Sequence, residues 1–90
     1  METKQTLKNC STQKLFILNE VAKTIDLNLF YEINLHVDNE QVELIAKYNY
    51  RLNKLLEKTY GKPQICLWER AIHLIYESET VTFVIIIQTL

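Results

Sequence analysis

The chain has 90 residues, of which 48% are hydrophobic and 23% are charged, and its formal net charge is -1. These proportions are typical of one folded domain and exclude a wholly disordered chain. They also exclude a global charge that would attract phosphates or anionic lipids, so binding to either needs a local patch. A domain of this size buries only about 60–65% of the surface of its unfolded chain, so its core is small.

Residues 1–10 lack hydrophobic periodicity, which predicts a flexible N-terminal tail ahead of a single domain over 11–90. A helix is predicted over about 12–25, because large apolar side chains recur there at intervals of three and four residues. Ser11 or Thr12 can cap its first turn, since a hydroxyl oxygen accepts from the free amides there. The predicted apolar face consists of Leu15, Ile17, Leu18, Val21, Ala22 and Ile25.

Residues 27–37 form two rows of side chains with a period of two, which predicts a strand with one buried face. The odd-numbered row is the more apolar one, and we predict that it is buried, with Tyr31 among its members. The opposite row consists of Phe30, Glu32, Asn34 and His36.

Residues 38–60 are ambiguous, because Val42, Leu44 and Ala46 also alternate. On a helical wheel, however, the apolar side chains of this segment gather on one side and the cations on the other. We therefore predict one long helix instead of a second strand. Gly61 is expected to end it, since glycine readily adopts the backbone conformation that terminates helices.

Residues 64–76 are rich in β-branched and aromatic side chains, and the polar segment 77–80 separates them from an apolar run over 81–90. We interpret this pattern as a C-terminal hairpin. A helix over 64–76 remains an alternative, because the apolar residues of that segment also fit helical spacing.

The predicted element order is therefore α-β-α-β-β, an α+β domain in which two helices pack on a three-stranded mixed or antiparallel sheet. The run over 81–90 carries no charge, and a central strand tolerates charge least, so we place it between the other two strands and antiparallel to both. This run is apolar on both of its faces, whereas two short helices most economically cover one face of a small sheet. The second face is then an interface, unless the first helix crosses over to seal it.

An apolar patch rimmed by polar groups marks an interface, which predicts a partner on that second face. One of the two side-chain rows of segment 64–76 contributes to it. The row that contains Trp68 also contains Tyr76 if the segment is one continuous strand. The predicted partner-binding residues are Phe30, Trp68, Tyr76, Val84 and Ile86.

A row of cations lies on one face of the predicted second helix, where it could meet successive phosphates or an acidic protein surface. The simpler interpretation is a solvated helix back, because Glu43 and Glu57 border the row. The residues of this basic helix face are Lys47, Arg51, Lys54 and Lys58.

No motif for catalysis, for a cofactor or for metal binding occurs in the sequence. Cys10 and Cys66 are far apart and lack metal-site spacing, which fits a reducing cytoplasm. His36 and His73 could share a sheet face with Glu32 and Glu69, but their spacing gives no sign of convergence. We therefore expect no enzyme, no cofactor and no metal, and the longest apolar run is too short for a membrane helix.

The sequence thus predicts a small cytoplasmic protein that acts by binding, as a regulator or inhibitor that occupies a partner's surface. The partner is a second copy, another protein, or both. Heavy use of Ile, Leu, Asn and Lys is typical of an AT-rich genome, which fits a phage, a plasmid or a low-GC bacterium, and we favour a phage or another mobile element. The second hypothesis is a nucleic-acid-binding protein that uses the basic helix face.

Overall fold

The computed structural model describes residues 13–35 and 41–88. Within these ranges, helix α1 covers 13–22, a short 3-10 helix covers Leu27–Leu29 and helix α2 covers Tyr50–Tyr60. The strands are β1 (Glu32–Leu35), β2 (Val42–Lys47), β3 (Gln64–Trp68), β4 (Ala71–Glu77) and β5 (Val81–Gln88).

The five strands form one sheet in the order β1-β2-β5-β4-β3. Strand β5 runs parallel to β2, and every other neighbouring pair is antiparallel. The α+β class and the central position of the last strand are confirmed. The predicted sheet of three strands is wrong, and so is the prediction that the last strand is antiparallel to both neighbours.

The single long helix predicted over 38–60 is wrong in its first half, where strand β2 lies instead. Residues Val42, Leu44 and Ala46 are fully buried and alternate with less buried neighbours, as a strand requires. The helical wheel was misleading because period-two and period-3.6 patterns overlap over six residues. Pairing with β1 and β5 decided the outcome, since tertiary contacts override weak local preference.

Helix α2 begins at Tyr50, shortly after β2 ends at Lys47, and local hydrogen bonds define both of its ends. The side chain of Asn49 caps it by accepting from the Leu52 amide at 3.0 Å. Gly61 ends it as predicted, with its amide donating to the Glu57 carbonyl at 2.8 Å. The backbone of Gly61 has φ 87° and ψ -163°, a combination that favours glycine.

The strand predicted over 27–37 is shorter than expected. Leu27–Leu29 is a 3-10 turn, and the Asp26 carboxylate stabilises it by accepting from the Asn28 amide at 2.9 Å. Strand β1 begins only at Glu32, and residues 36 and 37 lie outside the described residues.

Segment 64–76 contains two strands instead of one. Glu69 and Arg70 both have positive φ, 49° and 64°, and form the two-residue loop between β3 and β4. Two successive positive φ values are the mark of a type I′ turn, which matches the twist of a hairpin. The alternative of a helix is therefore wrong, whereas the hairpin of β4 with β5 is confirmed.

Both helices pack on the same face of the sheet and enclose the hydrophobic core. Phe83 of β5 lies at its centre, with ring centroids 5.8 Å from Phe30 and 5.3 Å from Tyr60. The buried core residues are Val21, Ile25, Phe30, Val42, Leu44, Ala46, Leu52, Leu56, Leu74, Tyr76, Val81, Phe83 and Ile85.

Helix α1 presents a slightly different face to this core than the sequence predicted. Leu15 and Ala22 are exposed, whereas Lys14 is only 3% exposed. Lys14 precedes Val21 by two helical turns, so both point inward. The Lys14 Nζ has no hydrogen-bond partner among the described residues.

The alternation along β5 gives the first prediction. Ile85 is fully buried in the core, whereas Ile86 lies on the opposite face and is partly exposed. We expect Ile85→Ala to lower the free energy of unfolding by about 2–5 kcal/mol, because it leaves a cavity. Ile86→Ala should lower the free energy of unfolding by less than half of that amount. Urea denaturation of both variants measures this, and equal losses would contradict the assigned faces.

Candidate interaction surface

The sheet face that points away from the helices, here called the open face, has an apolar centre. Cross-strand register places Ile45 of β2 beside Val84 of β5, and Val84 beside Ile75 of β4. Ile86 follows in the next row, opposite His73. We call Ile45, Ile75, Val84 and Ile86 the apolar centre. Val84 is buried by its neighbours, and the other three are half-buried.

Aromatic side chains border one end of the apolar centre. Trp68 is 66% exposed, and its ring lies 6.0 Å from the His73 ring, tilted by 40°. Tyr31 is also largely exposed and reaches the same region. A shallow cleft of about 310 Å³ there is lined by Tyr31, Trp68, Glu69, Ala71, His73, Ile86 and Gln88.

The opposite end of the apolar centre is polar. The Asn34 side-chain amide donates to Glu32 Oε2 at 3.0 Å and to Glu43 Oε1 at 2.8 Å. Thr82 continues this row on β5. The open face is therefore an apolar centre with a polar border on one side and an aromatic border on the other, the composition of an interaction surface.

Three of the five predicted partner-binding residues, Trp68, Val84 and Ile86, lie on the open face. Phe30 and Tyr76 do not, and this corrects the prediction. Phe30 is 7% exposed and packs in the core. The 3-10 turn before β1 shifts the alternation there, so that Phe30 is buried and Tyr31 is exposed, the reverse of the prediction.

Tyr76 is 1% exposed, because the register of β4 places it opposite the core residue Phe83. Its hydroxyl donates to Asn53 Oδ1 on α2 at 2.6 Å. The sequence placed Tyr76 on the same face as Trp68 by assuming one continuous strand. The two-residue turn reverses the chain between them, so the even-numbered residues of β3 and those of β4 point to opposite faces.

The predicted basic helix face is only partly on a helix. Lys47 is the last residue of β2 and lies on the open face. Arg51, Lys54 and Lys58 are exposed on α2 and share one side of it. The Lys54 Nζ lies 5.4 Å from the centroid of the Tyr50 ring, a cation–π contact.

The residues considered for metal or acid–base chemistry do not converge. Glu32 is on edge strand β1, and strands β2 and β5 separate it from His73 on β4. Glu69 lies in the β3–β4 turn, and His36 and Cys10 fall outside the described residues. In ranges 13–35 and 41–88, no group of three or more His, Cys, Asp or Glu side chains could hold a metal ion.

A second concave region, on the helix side, was not anticipated from the sequence. It is a cleft of about 380 Å³ between α1, the end of α2 and the β4–β5 turn. Burial raises the pKa of the Tyr60 hydroxyl at its edge. The lining residues are Gln13, Phe16, Ile17, Glu20, Val21, Thr24, Tyr60, Ser78, Thr80 and Val81.

Comparison with known proteins gives no relative on which to base a function. No protein-family model, no curated protein and no solved structure matches the chain. Neither helix in the part of the chain that the structure describes is long and apolar enough to cross a bilayer.

The buried hydroxyl of Tyr76 gives a prediction on alkaline stability. Burial raises its pKa above the ordinary 10.0, and the nearby charges of Glu57 and Tyr48 raise it further. As the pH rises above 10.0, the unfolded chain loses the hydroxyl proton at a lower pH than the folded protein does. The stabilising contribution of Tyr76 is therefore present below pH 10.0 and is lost as the pH rises through the folded-state pKa.

Tyr76→Phe should lower the free energy of unfolding at neutral pH by about 0.5–1.5 kcal/mol, because Asn53 loses its donor. It should also flatten the decline in stability above about pH 10, with the remainder due to Tyr60. Chemical denaturation across pH 7–11 measures both effects. Tyr50→Phe, at a mostly exposed tyrosine, is the control, and an equal response from it would refute the assignment.

Proposed function

We propose that this protein is a small non-enzymatic interaction module that regulates or inhibits a partner protein by covering part of the partner's surface with its open face. The observation that carries the proposal is the apolar centre. Its four aliphatic side chains lie side by side on three neighbouring strands, and neither α1 nor α2 packs against them.

The half-buried side chains of the apolar centre matter on the scale of the stability of the whole domain. Complete burial of a large aliphatic side chain is worth about 1.5–3 kcal/mol, and a domain of this size is stable by only about 5–15 kcal/mol. Ile45, Ile75 and Ile86 are half-buried in the isolated chain, so a partner that covers them gains a substantial part of this free energy. A surface kept apolar at such a position is better explained by binding than by folding.

The borders of the open face describe the matching partner surface. It should be apolar at its centre, to meet Ile45, Val84 and Ile86. Opposite the exposed ammonium of Lys47 it should present a carboxylate or another acceptor. Trp68, large and exposed at one end, has the character of an interface anchor, because aromatic side chains contribute large contact areas at low entropic cost.

Ile86→Lys tests this proposal, because it places a charge in the apolar centre without touching the core. A tagged wild-type chain should capture a protein from its host that the Ile86→Lys chain fails to capture. Binding of that protein, once purified, should weaken at least about tenfold. Ala22→Lys is the matched control, since it adds the same charge at an exposed position of α1.

Circular dichroism must first show that both variants are folded. Ile45→Lys, which disturbs the same surface from β2, should repeat the loss of binding. Equal capture by wild type and by a folded Ile86→Lys chain would remove the open face from the binding reaction.

Nucleic-acid binding is a second hypothesis, supported by the three exposed cations that share one side of α2. If α2 contacts phosphates, Lys54→Gln should weaken binding to a DNA or RNA oligonucleotide. The slope of log K against log salt concentration should become shallower by about one. Lys23→Gln removes the same charge just after the end of α1, where Lys23 pairs with Glu20 at 2.8 Å, and should change neither the affinity nor its salt dependence. Fluorescence anisotropy at several salt concentrations measures this, and a lack of any binding at low salt removes the hypothesis.

A further inference from the structure

Strand β3 forms one edge of the sheet and has few of the features that normally protect an edge. Natural edge strands carry charges, bulges or prolines, or are very short, since their unpaired amides and carbonyls attract other strands. Strand β3 reads QICLW and has no charge. Its Ile65 and Leu67 side chains are 69% and 76% exposed. The other edge, β1, has four residues and begins with Glu32.

The β3–β4 turn determines which backbone groups point outward. A two-residue type I′ loop closes on a hydrogen-bonded pair, here Trp68 with Ala71. Hydrogen-bonded pairs then alternate along an antiparallel ladder, so Cys66 is bonded to β4 and its neighbours are not. The amides and carbonyls of Ile65 and Leu67 therefore point away from β4. No described strand lies on that side.

We propose that two copies of this chain associate through β3, antiparallel to each other about a two-fold axis at Cys66. Ile65 of each copy then lies opposite Leu67 of the other, and both pairs are hydrogen-bonded. Gln64 lies opposite Trp68, and Cys66 lies opposite Cys66. The five strands of each copy join into one continuous sheet.

The sequence of β3 favours a second copy over an unrelated extended peptide. The register about Cys66 is the one that pairs all five residues of β3, and it uses all four outward backbone groups of each copy. Like charges do not meet, because the strand has none. On the helix side, Ile65 of one copy packs against Leu67 of the other. On the open face, the two Cys66 side chains are small enough to leave room for each other.

This dimer does not depend on the proposed function, because it uses the edge of the sheet and leaves the apolar centre uncovered. The two-fold axis is perpendicular to the sheet, so the helices of both copies lie on the same side. The two open faces are then continuous, and together they present two equivalent binding surfaces to a partner.

Disulfide trapping tests the register. Directly opposite residues in a non-hydrogen-bonded antiparallel pair have Cα atoms about 4.5 Å apart, within the range of disulfides. In a Cys10→Ser chain treated with diamide, two Cys66 thiols lose two protons and two electrons to the diazene, which becomes a hydrazine. We expect a covalent dimer. Its absence at concentrations where the chain is dimeric would overturn the register about Cys66.

Leu67→Pro tests the edge itself, since it removes an outward amide and leaves the ladder with β4 intact. Light scattering should give twice the 10.7 kDa mass for wild type. The dissociation constant should rise about tenfold or more for Leu67→Pro, because each dimer loses two hydrogen bonds. If circular dichroism shows Leu67→Pro to be unfolded, Leu67→Lys replaces it, since that side chain is exposed.

A wild-type monomer at about 100 μM, or an unchanged dimer in the folded edge variant, would overturn the proposal. Ile86→Lys should remain dimeric. Loss of the dimer in that variant would move the interface to the open face and reject pairing through β3. If the chain is dimeric but captures no partner protein, that result counts against the proposed function and not against the dimer.

Discussion

The pairing of β5 with both β2 and β4 is the interaction on which the rest of this structure depends. Strand β5 is parallel to one neighbour and antiparallel to the other, and it contributes Phe83 to the middle of the core. A parallel pair needs a long connection between its strands, and here that connection contains α2. The position of α2, the burial of Tyr76 beneath it and the uncharged sequence of β5 all follow from this arrangement.

Only one of the two faces created by this sheet is completed by the helices. On the core face, Val81, Phe83 and Ile85 meet side chains from α1 and α2. On the open face, Val84 lies between Ile45 and Ile75 on the adjacent strands. The proposal for the open face follows from this asymmetry, since the described residues form two layers, one of helices and one of strands.

The features that were predictable from the sequence are those with a strong and unambiguous pattern. The uncharged run of β5 indicated a central strand, and Gly61 indicated a helix end. Strand β2 was missed because its six residues fit two periodicities, and only its partners on either side distinguish them. The β3–β4 turn was missed because Glu69 and Arg70 are not the glycine or asparagine that normally signal positive φ. Tyr76 was misplaced because of this turn, and Phe30 because of the 3-10 helix at Leu27–Leu29.

The order of the strands along the chain also has a consequence for how the protein folds. Before β5 is in place, β1 with β2 and β3 with β4 are two separate hairpins that share no hydrogen bonds. Each has an unpaired inner edge and an apolar side, which are the features that make intermediates prone to aggregate. The sheet is then completed in one step by a strand that joins residues about 40 positions apart, so folding should be slow for a chain of this length.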